Sequence, residues 1–161
     1  MMRHAFITFF FSTVFASAAS ADLVEPTADD ILVWFNGCVS IAQPENSQLG
    51  AIMLANCSTR AITYCRIAEL KPEGAACVAR LKDEFTARTR ALIPFLEDQT
   101  RSSESFRRAW EDTLAQIKAD PSGHEREVDC PSDTSQLECA AFKAAQAWSI
   151  GRSLRALKDW K

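Results

Sequence analysis

Six cysteines are the residues of this 161-residue chain with the clearest chemical potential. They are Cys38, Cys57, Cys65, Cys77, Cys130 and Cys139. Such thiols can form disulfides, bind a metal, carry out redox exchange or act as nucleophiles. A zinc site needs closely spaced ligand pairs with histidine partners, and a redox site typically has two cysteines separated by two residues. No spacing in this chain fits either pattern, so the even number of cysteines predicts three structural disulfides.

The start of the chain predicts export to a compartment in which disulfides persist. A short basic start precedes an uncharged apolar run over residues 5–15, and small residues follow at 19–21. This pattern is typical of a Sec-type signal peptide, and the run is too short to span a membrane. We therefore expect cleavage after Ala21. Residues 22–161 would then form one periplasmic or secreted domain with no integral membrane anchor.

The rest of the chain favours helices over strands. Glycine and tyrosine are scarce, with five Gly and one Tyr, and apolar residues recur at helical spacing in five segments. These segments are expected to begin near Thr27, Gln48, Pro72, Ser102 or Ser103, and Asp133. The sequence thus predicts an all-α fold, an antiparallel bundle of about five helices stabilised by disulfides.

Helix geometry narrows the pairing of the cysteines. Cys57 and Cys65 lie eight residues apart on one predicted helix, about 12 Å along its axis, which is too far for a disulfide. Cys65 and Cys77 flank Pro72 at similar distances, so they should lie level in an antiparallel hairpin. The expected pairs are Cys65–Cys77, Cys130–Cys139 near the start of the last helix and, from the two that remain, Cys38–Cys57.

The helical stripes also predict which side chains form the core. Trp110 and Trp148 lie on the apolar stripes of the fourth and fifth helices, so both should be buried. The stripe of the third helix should include Phe95, and that of the fifth should include Leu137. Gly151 costs about 1 kcal/mol relative to alanine inside a helix, so we expect a neighbouring helix to cross closely there.

The charged loop at residues 121–129 is the candidate binding site. Loops on rigid scaffolds often carry function, and a disulfide through Cys130 would fix one end of this loop. Its candidate residues are Ser122, His124, Glu125 and Glu127. The acidic side chains would suit a basic protein partner, although a solvated connector is an open alternative. Trp34 and Trp160 are further candidates, because an exposed tryptophan can anchor a partner.

Several functional classes find no support in the residues. The chain has a net charge of −3 and no basic stripe, so nucleic acid is not an expected partner. Its acidic pairs are expected to be solvated faces, and no pattern brings together a nucleophile, a base and an orienting group. We therefore expect no enzymatic activity, no cofactor and no metal.

The cysteine motifs resemble a known family. Cys57-Ser-Thr-Arg-Ala-Ile-Thr-Tyr-Cys65 is followed by Gly74-Ala-Ala-Cys77, Arg108-Ala-Trp110 and Cys139, and together they resemble the LprI-like domain. That family of small exported helical domains is named for a lysozyme inhibitor, and the resemblance covers residues 57 to about 157.

The resemblance implies a non-enzymatic binding protein of the cell envelope. The implied partner is another protein, of the lysozyme-type hydrolase class, whose cleft a rigid loop would block. An accessory or stress-related envelope protein that binds through a helix face is the alternative, and a hydrolase is a weaker one.

Overall fold

The computed structural model describes residues 26–42, 48–98, 104–130 and 132–156, so the predicted signal peptide and Trp160 lie outside it. These ranges contain five α-helices, one 3-10 turn at Pro72–Gly74 and no strand. The helices are α1 (Ala28–Ile41), α2 (Gln48–Ala68), α3 (Cys77–Glu97), α4 (Glu104–Ala119) and α5 (Gln136–Ala156). The all-α prediction is confirmed. None of the described helices has an apolar stretch long enough to cross a membrane.

Helices α1 and α2 form an antiparallel hairpin. The Thr27 hydroxyl accepts a hydrogen bond from the Asp30 backbone N–H, and the Asp30 carboxylate accepts one from the Thr27 N–H. This capping box begins α1 at the predicted place. Further along the hairpin, Cys38 is bonded to Cys57, with Cα atoms 5.8 Å apart.

The turn between α2 and α3 is closed by the second predicted disulfide. Cys65 and Cys77 have Cα atoms 5.1 Å apart. Pro72 begins the 3-10 turn rather than α3, because the chain needs a tighter turn before the helix begins at Cys77. Gly74 is required here, since a Cβ atom on it would lie 2.0 Å from the Ala68 carbonyl oxygen.

Helices α3 and α5 run in the same direction and form the centre of the core. The Phe85 and Trp148 rings lie 5.8 Å apart, centroid to centroid. One turn later along α5, a Cβ atom on Gly151 would lie 3.1 Å from Leu92 Cδ1 and 3.9 Å from Ile117 Cδ1. The close helix crossing predicted at Gly151 is therefore confirmed.

An arginine covers the aromatic part of the core. Phe35 of α1 packs edge-on against Phe85 and Trp148, and all three rings are buried. The Arg88 guanidinium lies 5.0 Å above the Phe35 ring centroid and forms an ion pair with Glu84 at 2.8 Å. The cation–π contact thus holds α1 against α3, and the ion pair within α3 fixes the position of the guanidinium.

One core prediction on α3 is wrong. Phe95 is 58% exposed, whereas its neighbour Leu96 is buried. Phe95 lies three residues after Leu92 and Leu96 lies four residues after it, so both fit a helical interval. The packing of α3 buries Leu96. Trp110, in contrast, is buried as predicted.

A second core prediction, at the start of α5, is also wrong. Leu137 is 39% exposed, and Glu138 takes the buried position in the first turn. The Glu138 carboxylate accepts a hydrogen bond from the Ser135 N–H, and the Ser135 hydroxyl accepts one from the Glu138 N–H. Because this capping box fixes the first turn, α5 begins at Gln136 rather than at Asp133.

Candidate functional site

Residues 120–130, which connect α4 to α5, form a loop that we call the acidic loop. The carboxylate of Asp120 organises its first half. One oxygen accepts the Ser122 hydroxyl at 2.7 Å, and the other accepts the Glu125 backbone N–H at 2.8 Å. Burial disfavours the charged form of Asp120, but these bonds and further backbone N–H contacts outweigh it and lower the pKa of the carboxyl group. Asp120 therefore holds the turn as a carboxylate.

The middle of the acidic loop rests directly on α5. Gly123 has a left-handed φ of +67°, and a Cβ atom there would lie 2.4 Å from the Lys143 carbonyl oxygen. Only glycine combines that conformation with so close a backbone approach. The Lys143 ammonium group also donates a hydrogen bond to the His124 carbonyl oxygen at 3.0 Å.

The third predicted disulfide closes the far end of the acidic loop. Cys130 is bonded to Cys139 of α5, with Cα atoms 5.7 Å apart. The loop is thus tethered at its start, middle and end. A loop fixed in this way loses little conformational entropy when it binds a partner.

A groove of about 510 Å³ lies between the acidic loop and the adjoining helices. Its polar lining comes from three elements: Gln116 of α4, Gln146 of α5, and Asp120, Glu125, Arg126 and Glu127 of the loop. The Nε of Arg126 is buried and has no hydrogen-bond partner in the described structure. Three carboxylates outnumber this one guanidinium, so the groove has a net negative lining that suits a basic group.

The four predicted binding residues do not behave alike. Glu125 and Glu127 are exposed and line the groove, where a partner can reach them. The side chain of His124 is also exposed, and its backbone carbonyl helps to tether the loop. Ser122 is half-buried, and its hydroxyl is engaged by Asp120, so it has a structural role.

Sequence reasoning missed four of the polar groove residues. Asp120 precedes the predicted set and Arg126 lies within it, whereas Gln116 comes from α4 and Gln146 from α5. The Asp-Pro-Ser-Gly sequence at 120–123 is a turn signal that could have identified Asp120. No local signal could have found Gln146, because only the packing of α5 brings it to the groove.

A second, apolar surface lies on the α1–α2 hairpin, and we call it the hairpin face. Its α1 part consists of Val33, Trp34, Gly37 and Ile41. Its α2 part consists of Leu49, Ile52, Ile67 and, just past the helix end, Leu70.

Trp34 shows how this surface is held. It is 36% exposed, and its ring packs edge-on against Tyr64 of α2, with centroids 5.2 Å apart. The exposed aromatic edge that could anchor a partner is therefore present and fixed by the neighbouring helix.

Neither surface has a side-chain arrangement typical of a metal centre. No group of three or more potential metal ligands occurs in the part of the chain that the structure describes. Comparisons with family models, curated proteins and solved structures find no match to this chain.

Proposed function

We propose that this protein is a non-enzymatic binding protein of the cell envelope and that its acidic loop engages a basic hydrolase of the lysozyme type. The observation that carries the proposal is the pair of exposed carboxylates, Glu125 and Glu127, on a backbone tethered at three points. A loop held in this way can enter the cleft of a partner without changing its conformation, which is how a steric inhibitor works.

The charge of the groove supports a basic partner. Asp120, Glu125 and Glu127 surround a single guanidinium, that of Arg126, which forms no ion pair in the described structure. A lysine or arginine side chain of the partner would meet three carboxylates there. Electrostatic attraction of this kind speeds association and selects basic partners over acidic ones.

The disulfides support the location. All six cysteines are bonded, which indicates an oxidising compartment. On this proposal residues 1–21 are removed during export, and the intact mass of the exported protein corresponds to a chain that begins at Asp22. The resemblance of the cysteine motifs to LprI-like domains points to the same class of function.

A binding titration with a c-type lysozyme tests the proposal. The double variant Glu125→Gln, Glu127→Gln removes two charges with little change in shape, and we expect it to weaken affinity roughly three- to tenfold. The matched control, Asp83→Asn with Glu111→Gln, removes two exposed carboxylates from α3 and α4 and should bind as tightly as the wild type.

The same titration gives two further readouts. Affinity of the wild type should fall as salt is raised, because exposed charges are screened over about 8 Å at physiological ionic strength. Lysis of bacterial cell walls by the lysozyme should slow when the wild type is added. Absence of binding by the wild type, or equal loss in the control variant, would overturn the proposal.

A further inference from the structure

The hairpin face has no partner among the residues that the structure describes. Val33, Gly37 and Ile41 follow one another at four-residue spacing on the outer side of α1, with Trp34 beside them. Val33 is 72% exposed and Ile41 is 74% exposed. The opposite side of α1 packs against the rest of the bundle, because Phe35 and its neighbours on that stripe are buried in the core. A helix with apolar residues on both sides is typical of one that is covered on both sides.

Helix α2 continues the same surface. Leu49 and Ile52 lie at its start, and Ile67 and Leu70 lie at its end, all more than half exposed. They belong to one outward row in which residues recur at intervals of three or four, as on the contact face of a packed helix. The polar residues between the two apolar pairs include one charged residue, Arg60.

Gly37 lies in the middle of this surface and is unexplained by the fold. Glycine is among the least favourable residues inside a helix. Gly151 has a reason to be glycine, because Leu92 occupies the space that a Cβ atom would need. No atom of the described residues lies within 4 Å of a Cβ atom built on Gly37. A missing side chain at that position allows another helix to approach the α1 backbone closely.

We propose that the hairpin face is the interface of a two-fold symmetric dimer of this protein. Seven apolar side chains that each expose on the order of 100 Å² give roughly 700 Å², close to the roughly 800 Å² per partner of a stable interface. Two such hairpins, packed face to face, form a four-helix arrangement in which each face covers the other.

Charge complementarity favours a second copy over an unrelated partner. The outer side of the hairpin carries one exposed acid on α1, Asp30, and one exposed base on α2, Arg60. Neither forms an ion pair with another described side chain; Asp30 bonds only within its capping box. A two-fold axis that places α1 of one copy against α2 of the other brings the acidic side of one helix to the basic side of the other at two symmetry-related places, so the surface is complementary to itself in charge.

Sedimentation equilibrium of the exported protein tests the dimer. We expect the wild type to have twice the chain mass at micromolar concentration. Gly37→Arg places a long charged side chain in the centre of the interface and should give a monomer. Because the site is open, circular dichroism and the melting midpoint of the dilute protein should show that this variant folds.

A charge variant provides the second test. Arg60→Glu leaves only acidic groups on the facing sides of α1 and α2, and it should raise the dissociation constant of the dimer roughly tenfold or more. The matched control is Arg90→Glu on the exposed side of α3, which should dimerise like the wild type.

Three outcomes would overturn the proposal. They are a wild-type monomer at high concentration, a dimer unaffected by both variants, and a monomer that instead binds vesicles of phosphatidylethanolamine and phosphatidylglycerol through the same residues.

Discussion

The acidic loop and the hairpin face differ in nearly every physical respect. The loop carries Glu125, Glu127 and Asp129 in solvent, and its backbone is fixed by polar contacts and a disulfide. The hairpin face is almost uncharged and is held by the Cys38–Cys57 bond. Binding through the loop should weaken with salt, whereas association through apolar burial should persist or strengthen in sulfate. The two surfaces can therefore be tested separately in one protein.

The largest expected effect is on the core that supports both surfaces. Trp148 is buried between Phe35 of the hairpin and Phe85 of α3, so Trp148→Ala should lower the free energy of unfolding by roughly 3–5 kcal/mol. Trp34→Ala, on the hairpin face, should cost far less in dilute protein. Urea denaturation measures both. Equal losses from the two variants would contradict the assignment of Trp34 to a surface.

Removal of single disulfides should separate the two surfaces. A chain-entropy estimate gives about 3 kcal/mol of unfolding free energy for a loop of the size closed by Cys130–Cys139 or by Cys38–Cys57. Serine replacement of the first pair should weaken lysozyme binding and leave the dimer intact. Replacement of the second pair should weaken the dimer and leave lysozyme binding intact. A reversed or shared pattern would contradict this division of roles.

The two helical glycines should respond to alanine in different ways. Gly37→Ala should raise the stability of the dilute monomer by up to about 1 kcal/mol, because only helix propensity changes. Gly151→Ala should bring no such gain, since its Cβ atom would press on Leu92. Thermal unfolding at low concentration measures the difference. Equal gains in stability at the two sites would show that Leu92 of α3 can move away from the added methyl group at little cost.

The smallest effect concerns acid stability. Thr27 lowers the pKa of Asp30 through side-chain and backbone hydrogen bonds, and the acidic loop lowers that of Asp120. A depressed folded pKa contributes stability above the unfolded value, near 3.9, and this contribution is lost as pH falls through the folded pKa. In the variant Asp120→Asn, the free energy of unfolding should therefore fall less steeply as the pH is lowered below about 4. An unchanged acid transition would show that the Asp120 contacts do not contribute.

The disulfide framework was predictable because helix geometry fixes distances between residues of the same or adjacent helices. Cys57 could not reach Cys65, and Cys77 lay level with Cys65 across the turn, so the pairing followed from the rise per residue. The Thr27 cap was similarly local. Such features depend on residues that are close in sequence.

Features that depend on helix phase or on distant contacts were harder to predict. Phe95 and Leu96 both matched the helical period, but only Leu96 is buried. The Arg155 guanidinium lies 5.2 Å from the centroid of the exposed Phe95 ring and covers it. In the acidic loop, the exposed glutamates were found from charge alone. The contact from Lys143, 19 residues from His124, had no sequence signal. The apolar outer face of α1 was not predicted, although the uninterrupted apolar run Ile31–Phe35 places apolar residues all around the helix.

Native mass spectrometry of the purified protein mixed with a c-type lysozyme tests the central claim most directly. If the acidic loop binds the hydrolase and the hairpin face binds a second copy, the main species contains two chains and two lysozymes. Gly37→Arg should reduce it to one of each, and Glu125→Gln with Glu127→Gln should leave a dimer with less lysozyme. A wild-type chain that stays free of lysozyme, or a dimer that separates when lysozyme binds, would contradict the account.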